Sequence, residues 1–209
     1  MIELLFDTFI ILFIVVDPIG LAPMFAALTR DDTPRQRRRL ALRGVLIAGG
    51  ILVTFVLIGD ALLRALGIGV PAFQIAGGVL LFLLAVDMLF ARHSGLRSTT
   101  EREQREAEHR KDISVFPLAI PLIAGPGALT TVLLMVSEQG DNPAVIGATL
   151  VVVMLVLAMT LGSLLLSGRL LRLIGETGAN VISRVLGVVL AALAAQYILD
   201  GLQAGLPAF

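Results

Sequence analysis

The sequence predicts an all-α, polytopic membrane protein with six transmembrane helices, arranged as two inverted-topology three-helix repeats with broken helices in spans 1 and 4. Hydrophobic residues make up 57% of the 209 residues and charged residues only 15%, with a mean hydropathy of +0.95. Six apolar stretches are long enough to cross a bilayer, and similar proline and glycine breaks recur in two of them. A water-soluble domain carries about 25% charged residues, so the composition favours lipid as the solvent.

The six stretches are separated by polar or helix-breaking segments. A helix needs about 20 apolar residues to cross the hydrocarbon core. The predicted spans are residues 4–28, 41–63, 70–91, 113–136, 144–167 and 182–202. Together they form a single transmembrane domain over 1–209, with repeat 1 at about 1–91, a charged linker at 92–112 and repeat 2 at about 113–209.

The basic residues predict the orientation of the chain in the membrane. Of the 16 Lys and Arg residues, six lie in loop 1, six in loop 3, three in or beside loop 5, and one, Arg64, in loop 2. Loops rich in Lys and Arg stay on the cytoplasmic side. Loops 1, 3 and 5 should therefore be cytoplasmic and both termini outside, which requires an even number of spans.

The two halves of the chain match each other at an offset of 108 to 109 residues. Equivalent pairs under this offset are Pro18 and Pro126, Arg64 and Arg172, Gly78 and Gly187, and Asp87 and Gln196. Because each half has three spans, the second half enters the membrane from the opposite side. Inverted repeats of this kind are typical of secondary transporters, whose substrate site lies near the midplane where the repeats meet.

Proline and glycine interrupt the apolar runs of spans 1 and 4. Proline removes a helix donor, and the freed backbone groups at membrane depth survive only where protein or a wet cavity covers them. Paired breaks at equivalent repeat positions indicate a substrate site. Its predicted members are Asp17, Pro18, Gly20, Gly125, Pro126, Gly127, Thr130 and Thr131, with Asp87 and Gln196 as secondary candidates.

Asp17 is the most informative of these residues, because a carboxylate deep in a span is costly. Three roles are open to it: binding a substrate ammonium, carrying a coupling proton, or capping the half-helix that follows. Asp87 and Gln196 lie toward the ends of their spans, where anchoring at the interface is the simpler interpretation. Several glycines in the spans suit close helix packing: Gly44, Gly49, Gly50, Gly77, Gly78, Gly162 and Gly187.

Few enzymatic chemistries fit this composition. The chain has no cysteine, and its two histidines, His93 and His109, both lie in loop 3. We therefore expect no enzyme, no cofactor and no metal, and a net charge of zero gives no attraction for nucleic acid. An intramembrane enzyme would need Asp17 and Asp87 to meet at depth. A membrane scaffold or regulatory protein without transport is the other alternative, and the symmetric breaks argue against it.

Four segments resemble the MarC family, described as six-span neutral amino acid transporters. They are VDPIGLAPMFAALT at 16–29, FQIAGG at 73–78, PLAIPLIAGPGALT at 117–130 and the run from LIGETGAN to YILDGL at 173–202. The resemblance covers essentially the whole chain. It implies a protein of the bacterial or archaeal inner membrane that moves small neutral amino acids such as glycine, alanine or serine. Members often have Asn where this chain has Leu21, so one polar group of the implied site is missing.

Transport of this kind would draw on an H⁺ or Na⁺ gradient or on the solute gradient itself, since no nucleotide-binding motif is present. The small size of a six-helix chain also suggests a homodimer in the lipid bilayer.

Thiol labelling tests the predicted orientation. Because the chain contains no cysteine, Asp31→Cys in loop 1 and Ile68→Cys in loop 2 each introduce a single reactive group. The basic residues should keep loop 1 inside. A membrane-impermeant maleimide should label Ile68→Cys in intact cells and Asp31→Cys only after permeabilisation. The reverse pattern would overturn the orientation.

Overall fold

The computed structural model describes residues 2–90, 113–137 and 142–205. Within these ranges the regular elements are all helical, so the all-α prediction is confirmed. The elements are α1 (Ile2–Val16), α2 (Pro18–Leu28), α3 (Pro34–Ala65), α4 (Val70–Phe90), a proline-rich segment (Ser114–Ile123), α5 (Pro126–Ser137), α6 (Pro143–Leu165) and α7 (Ser167–Gly205). The predicted linker at 92–112 lies outside the described residues.

The polytopic architecture is confirmed by the lengths and hydropathies of these helices. Five stretches in the described ranges are long and apolar enough to cross a membrane, and α1 with α2 counts as one of them. The proline-rich segment and α5 supply a sixth if they cross as one span, although they are bent by 53°. This bent pair is the predicted broken span 4, and the predicted break in span 1 separates α1 from α2.

Helix α3 begins earlier than the hydropathy of the sequence predicted. It starts at Pro34 rather than near residue 41, so most of the basic run assigned to loop 1 forms its first two turns. The reason is a capping box: the Gln36 amide donates to Thr33 Oγ1 at 3.3 Å, and the Thr33 amide donates to Gln36 Oε1 at 3.0 Å. Hydropathy detects contact with lipid, whereas hydrogen bonds decide where a helix starts.

Helix α7 also corrects the predicted boundaries. It begins at Ser167 and continues through the segment predicted as loop 5 as two helical stretches that meet at Gly175, where φ is 69° and ψ is 169°. Glycine reaches a positive φ without a steric penalty. Gly67, which follows α3, has the same φ of 69° and lies 108 residues earlier in the chain.

The seam between α4 and α7 is built on reciprocal glycine contacts. A Cβ atom on Gly78 would lie 2.8 Å from the Ala194 carbonyl oxygen, and one on Gly187 would lie 3.2 Å from the Ala85 carbonyl oxygen. Both pairs, Gly78 with Gly187 and Ala85 with Ala194, are 109 residues apart. A pseudo-two-fold relation between the repeats requires such exchanged contacts. The inverted repeat itself remains a prediction, and this seam supports it.

Helix α5 lies at the centre of the bundle. It contacts α1, α3, α4 and α6, and ten of its twelve residues are buried. The proline-rich segment before it is wound in wide turns, with the Ala124 amide donating to the Ala119 carbonyl five residues earlier at 2.8 Å. Irregular backbone at membrane depth is tolerated where protein covers it, and α3 packs against this segment.

Substituting alanine at a seam glycine should destabilise the protein. In Gly78→Ala the new methyl group meets α7 backbone that cannot rotate away, so we expect a loss of about 1–3 kcal/mol. Gly50→Ala is the matched control, because nothing lies within 4 Å of a Cβ there and alanine favours the helix. Unfolding in detergent, followed by circular dichroism, measures both. Equal stability of the two variants would show that the seam does not depend on Gly78.

Candidate functional site

The break in span 1 is organised around Asp17. This residue separates α1 from α2 and adopts a left-handed conformation, with φ 48° and ψ 68°. Its Oδ1 accepts a hydrogen bond from the Gly20 amide at 3.0 Å, and Pro18 occupies the first helical position. Asp and Asn tolerate this conformation better than other non-glycine residues. The structure therefore shows the capping role, one of the three roles left open for Asp17.

A second hydrogen bond reaches the same carboxylate from α7. Ser183 Oγ donates to Asp17 Oδ2 at 2.7 Å across 166 positions of the chain. Asp17 is fully buried, with 0% of its surface exposed. A Cβ on Gly20 would collide with both the carboxylate and the Ser183 hydroxyl. Glycine at position 20 is thus needed for the carboxylate and the hydroxyl to meet.

Helix α6 contributes a third contact to this break. Ser163 Oγ donates a short hydrogen bond to the Pro18 carbonyl oxygen. The three contacts come from the Gly20 amide, from α6 and from α7. They fasten the interrupted backbone of span 1 to span 5 and span 6.

Ser163 and Ser183 were not among the predicted site residues. Both lie close to the ends of their predicted spans, 144–167 and 182–202, where a hydroxyl is naturally interpreted as interfacial. The one available signal was a polar side chain inside an apolar run. Only the packing of α6 and α7 against α2 reveals which polar group these hydroxyls contact.

The break in span 4 has a different local cause. Phe116 and Ile120 leave the helical region, with ψ of 126° in each, and each precedes a proline that disfavours the helical conformation. Ala124, with ψ of 55°, ends the segment. Gly125 follows, and a Cβ there would collide with the Pro121 carbonyl oxygen. Pro126 then begins α5 and is exposed, whereas Gly125 is buried.

The carboxyl-terminal end of α1 packs against the amino-terminal end of α5. A Cβ on Gly127 would lie 3.1 Å from Val15 Cγ1 and 2.9 Å from Leu84 Cδ2. Val15 is in the last turn of α1 before Asp17, and Gly127 is in the first turn of α5. The immediate surroundings of Gly127 are therefore apolar. Among the predicted substrate-binding residues, the charged group near this contact of α1 with α5 is the Asp17 carboxylate.

The two threonines of α5 face the protein interior. Thr131 Oγ1 donates to the Gly127 carbonyl oxygen at 2.9 Å. The methyl group of Thr130 packs against Gly77 of α4, where a Cβ would collide with it. Both threonines are buried, and Thr130 lines the junction between α4 and α5.

The two secondary candidates are not a matched pair. Asp87 is buried in α4 beside Met88, which packs against Gly187. Gln196 is exposed on α7, and its Nε2 donates to Asp200 Oδ1 at 2.7 Å. The structure does not bring Gln196 into the site around Asp17.

Comparisons with known proteins agree on one family. A family model described as "MarC family integral membrane protein" matches residues 2–206. The chain is 36% identical over 199 residues to a UPF0056 membrane protein of Archaeoglobus fulgidus, and the alignment covers 94% of this chain and 91% of that protein. It is 34% identical over 194 residues to the UPF0056 inner membrane protein YhgN of Escherichia coli strain K12, covering 93% of each. It is 33% identical over 207 residues to the UPF0056 membrane protein YvbG of Bacillus subtilis, covering 99% and 98%. No solved structure matches the chain.

Substitutions at position 17 should separate the backbone role of Asp17 from its charge. Asp17→Asn keeps a capping oxygen and tolerates the left-handed conformation, whereas Asp17→Ala loses both. We expect the alanine variant to be about 1–3 kcal/mol less stable than the asparagine variant. Asp7→Ala controls for loss of an α1 carboxylate that is exposed. Equal unfolding free energies for the two Asp17 variants in detergent would contradict the capping role.

Proposed function

The chain belongs to the MarC family of integral membrane proteins, and we propose that it is a secondary transporter or exporter of small neutral amino acids in the inner membrane. The observation that carries the proposal is the fully buried Asp17 carboxylate at the break of span 1, with the break of span 4 packed beside it. The relative YhgN is named an inner membrane protein, which supports the location.

An interrupted helix supplies polar groups where lipid supplies none. The carboxylate of Asp17 matches the ammonium of a zwitterionic amino acid. The amino-terminal ends of α2 and α5 carry positive dipole ends that match its carboxylate. No basic side chain is needed to neutralise the substrate in this arrangement. A scaffold would have no use for such groups at membrane depth.

The packing around the breaks favours a small substrate. Val15, Leu84 and Gly127 are in close contact, so the junction of α1 with α5 holds little space. A large side chain would have to separate α1 from α5, whereas glycine, alanine or serine demands a smaller displacement. The proposal therefore concerns small neutral amino acids rather than aromatic or long ones.

Substrate binding would replace a hydrogen bond that is already present. Ser183 Oγ occupies Asp17 Oδ2 at 2.7 Å, so an ammonium group must displace the hydroxyl to reach that oxygen. An ammonium has three donors and a full charge, and its bond to a carboxylate is stronger than that of a neutral hydroxyl. This exchange would loosen α7 from the break and couple binding to a change in packing.

Contacts of Arg37 join neighbouring helices at the loop 1 end of the bundle. Arg37 Nη2 donates to Ser167 Oγ at 3.1 Å, and the guanidinium carbon lies 6.0 Å from the centre of the Phe25 ring. These contacts join α3 to the start of α7 and to α2.

Coupling to H⁺ or Na⁺ is assigned to the same carboxylate. Asp17 is the most buried of the described carboxylates, at 0% exposure against 8% for Asp87 and 9% for Asp60. A charge held this deep interacts strongly with other charges, because the surroundings screen it weakly. The proposal assigns no catalytic chemistry to the protein.

Counterflow in proteoliposomes tests the proposal. Purified protein is reconstituted with unlabelled amino acid inside and labelled alanine, glycine or serine outside. We expect saturable exchange for the wild type and for Asp7→Asn, a matched change at an exposed carboxylate of α1. Asp17→Asn should lose exchange at least about tenfold, since one lost charge-assisted contact costs about 1.5–3 kcal/mol. Imposed proton and sodium gradients then identify the coupling ion.

Two results would overturn the assignment. Absence of exchange for all three amino acids, in wild-type protein that unfolds cooperatively, would exclude small amino acids as the solute. Equal exchange in Asp17→Asn and Asp7→Asn would remove the break of span 1 from the site.

A further inference from the structure

A continuous exposed face runs along α7, away from the breaks. Its members follow one another at alternating intervals of four and three residues, the spacing of a left-handed helix–helix seam. All six are exposed: Val185, Val189, Ala192, Gln196, Leu199 and Gln203. We call this set the α7 seam. Four of its members are apolar, as lipid or another helix would require, and Gln196 is the exception within the span.

The packing of α4 shows how deep Gln196 lies. A Cβ on Gly78 would lie 2.8 Å from the Ala194 carbonyl oxygen and 3.1 Å from the Ile198 nitrogen. Gln196 lies midway between Ala194 and Ile198 in the chain, so it is at the same depth as Gly78. Gly78 is eight residues into α4, which runs from Val70 to Phe90. At 1.5 Å per residue this is about 12 Å from one end of the helix, which is inside a hydrocarbon core of about 30 Å.

The carboxamide of Gln196 has more hydrogen-bonding groups than its one bond uses. It offers two N–H donors and a carbonyl acceptor, and one N–H binds Asp200 Oδ1 at 2.7 Å. An exposed polar side chain at this depth is costly, because acyl chains accept and donate nothing. The exposed side of α6 differs, since its most exposed members are apolar: Val151, Met154, Leu155 and Met159. The exposed face of α6 is apolar and is compatible with contact with lipid, whereas Gln196 in the α7 seam needs a protein partner for its remaining hydrogen-bonding groups.

We propose that a second copy of this chain packs against the α7 seam, with Gln196 bound to Gln196 of the second copy. Copies inserted with the same topology are related by a two-fold axis along the membrane normal. Their α7 helices then run parallel, and the two carboxamides lie at the same depth. A carboxamide is both donor and acceptor, so the Gln196 carboxamides of the two copies can hydrogen-bond to each other. A polar residue at a central position of a parallel coiled coil pairs in the same way.

The second copy is the occupant that the geometry favours. An unrelated helix would need its own polar group at the same depth and an apolar seam with the same spacing. A second copy meets both conditions by symmetry. This inference does not depend on transport, because it rests on Gln196, which the structure does not bring into the site around Asp17, although α7 also carries Ser183.

Single-cysteine cross-linking in membranes tests the interface. The chain has no cysteine, so Ala192→Cys and Leu199→Cys each add one thiol to the seam. Leu155→Cys is the matched control, since Leu155 is 50% exposed on α6 and Leu199 is 52% exposed on α7. A short membrane-permeant bifunctional reagent should give covalent dimers from both α7 positions and none from Leu155→Cys. Dimers from the α6 position alone, or from none of the three, would overturn the proposal.

The role of Gln196 is tested by fluorescence energy transfer between labelled copies diluted into increasing amounts of lipid. Gln196→Leu should dissociate at about 3- to 30-fold higher protein-to-lipid ratios than the wild type, the measured range for one interhelical hydrogen bond in a membrane. Gln196→Asn keeps the carboxamide and should lose less. Unchanged association in Gln196→Leu, or a wild type that is monomeric at every ratio, would refute the interface.

Discussion

A break in a helix within lipid exposes backbone groups that no solvent can satisfy, and the structure depends on how those groups are covered. At Asp17 the carboxylate caps α2 through the Gly20 amide, and Ser183 of α7 holds its other oxygen. Ser163 of α6 binds the Pro18 carbonyl. Buried polar groups without a partner cost several kcal/mol in hydrocarbon, and the hydroxyls of spans 5 and 6 supply two of the partners at the break of span 1.

Close helix contact follows from the same requirement. The irregular backbone before α5 packs against α3, and α5 itself is surrounded by α1, α3, α4 and α6. Glycines allow the helices to approach this closely: Gly127 against Val15 at one side of the junction, and Gly78 against α7 backbone at the other. Packing of backbone on backbone replaces the hydrophobic driving force that lipid removes.

The hydrogen bonds that satisfy the break are also exchangeable. The contact of Ser183 with Asp17 joins residues of two different spans, so a ligand that takes over the carboxylate also alters how α7 packs. A covered break is therefore both a structural necessity and a means of coupling, and the proposed transport function uses it in that way. The α7 seam presents the converse case, in which a polar group remains uncovered within one chain and a second chain is proposed to cover it.

The sequence by itself determined the membrane class and the two breaks, because hydropathy and proline act locally along the chain. It placed the start of α3 too late, because hydropathy does not detect the hydrogen bonds of the Thr33 capping box. It treated part of α7 as a loop, because hydropathy does not show that the backbone leaves the helical conformation at Gly175 alone. It also assigned close packing to Gly50 and Gly162, which have open space around them. Only the tertiary structure decided that Ser163 and Ser183 meet the break, because contacts between residues 145 and 166 positions apart are set by how whole helices pack.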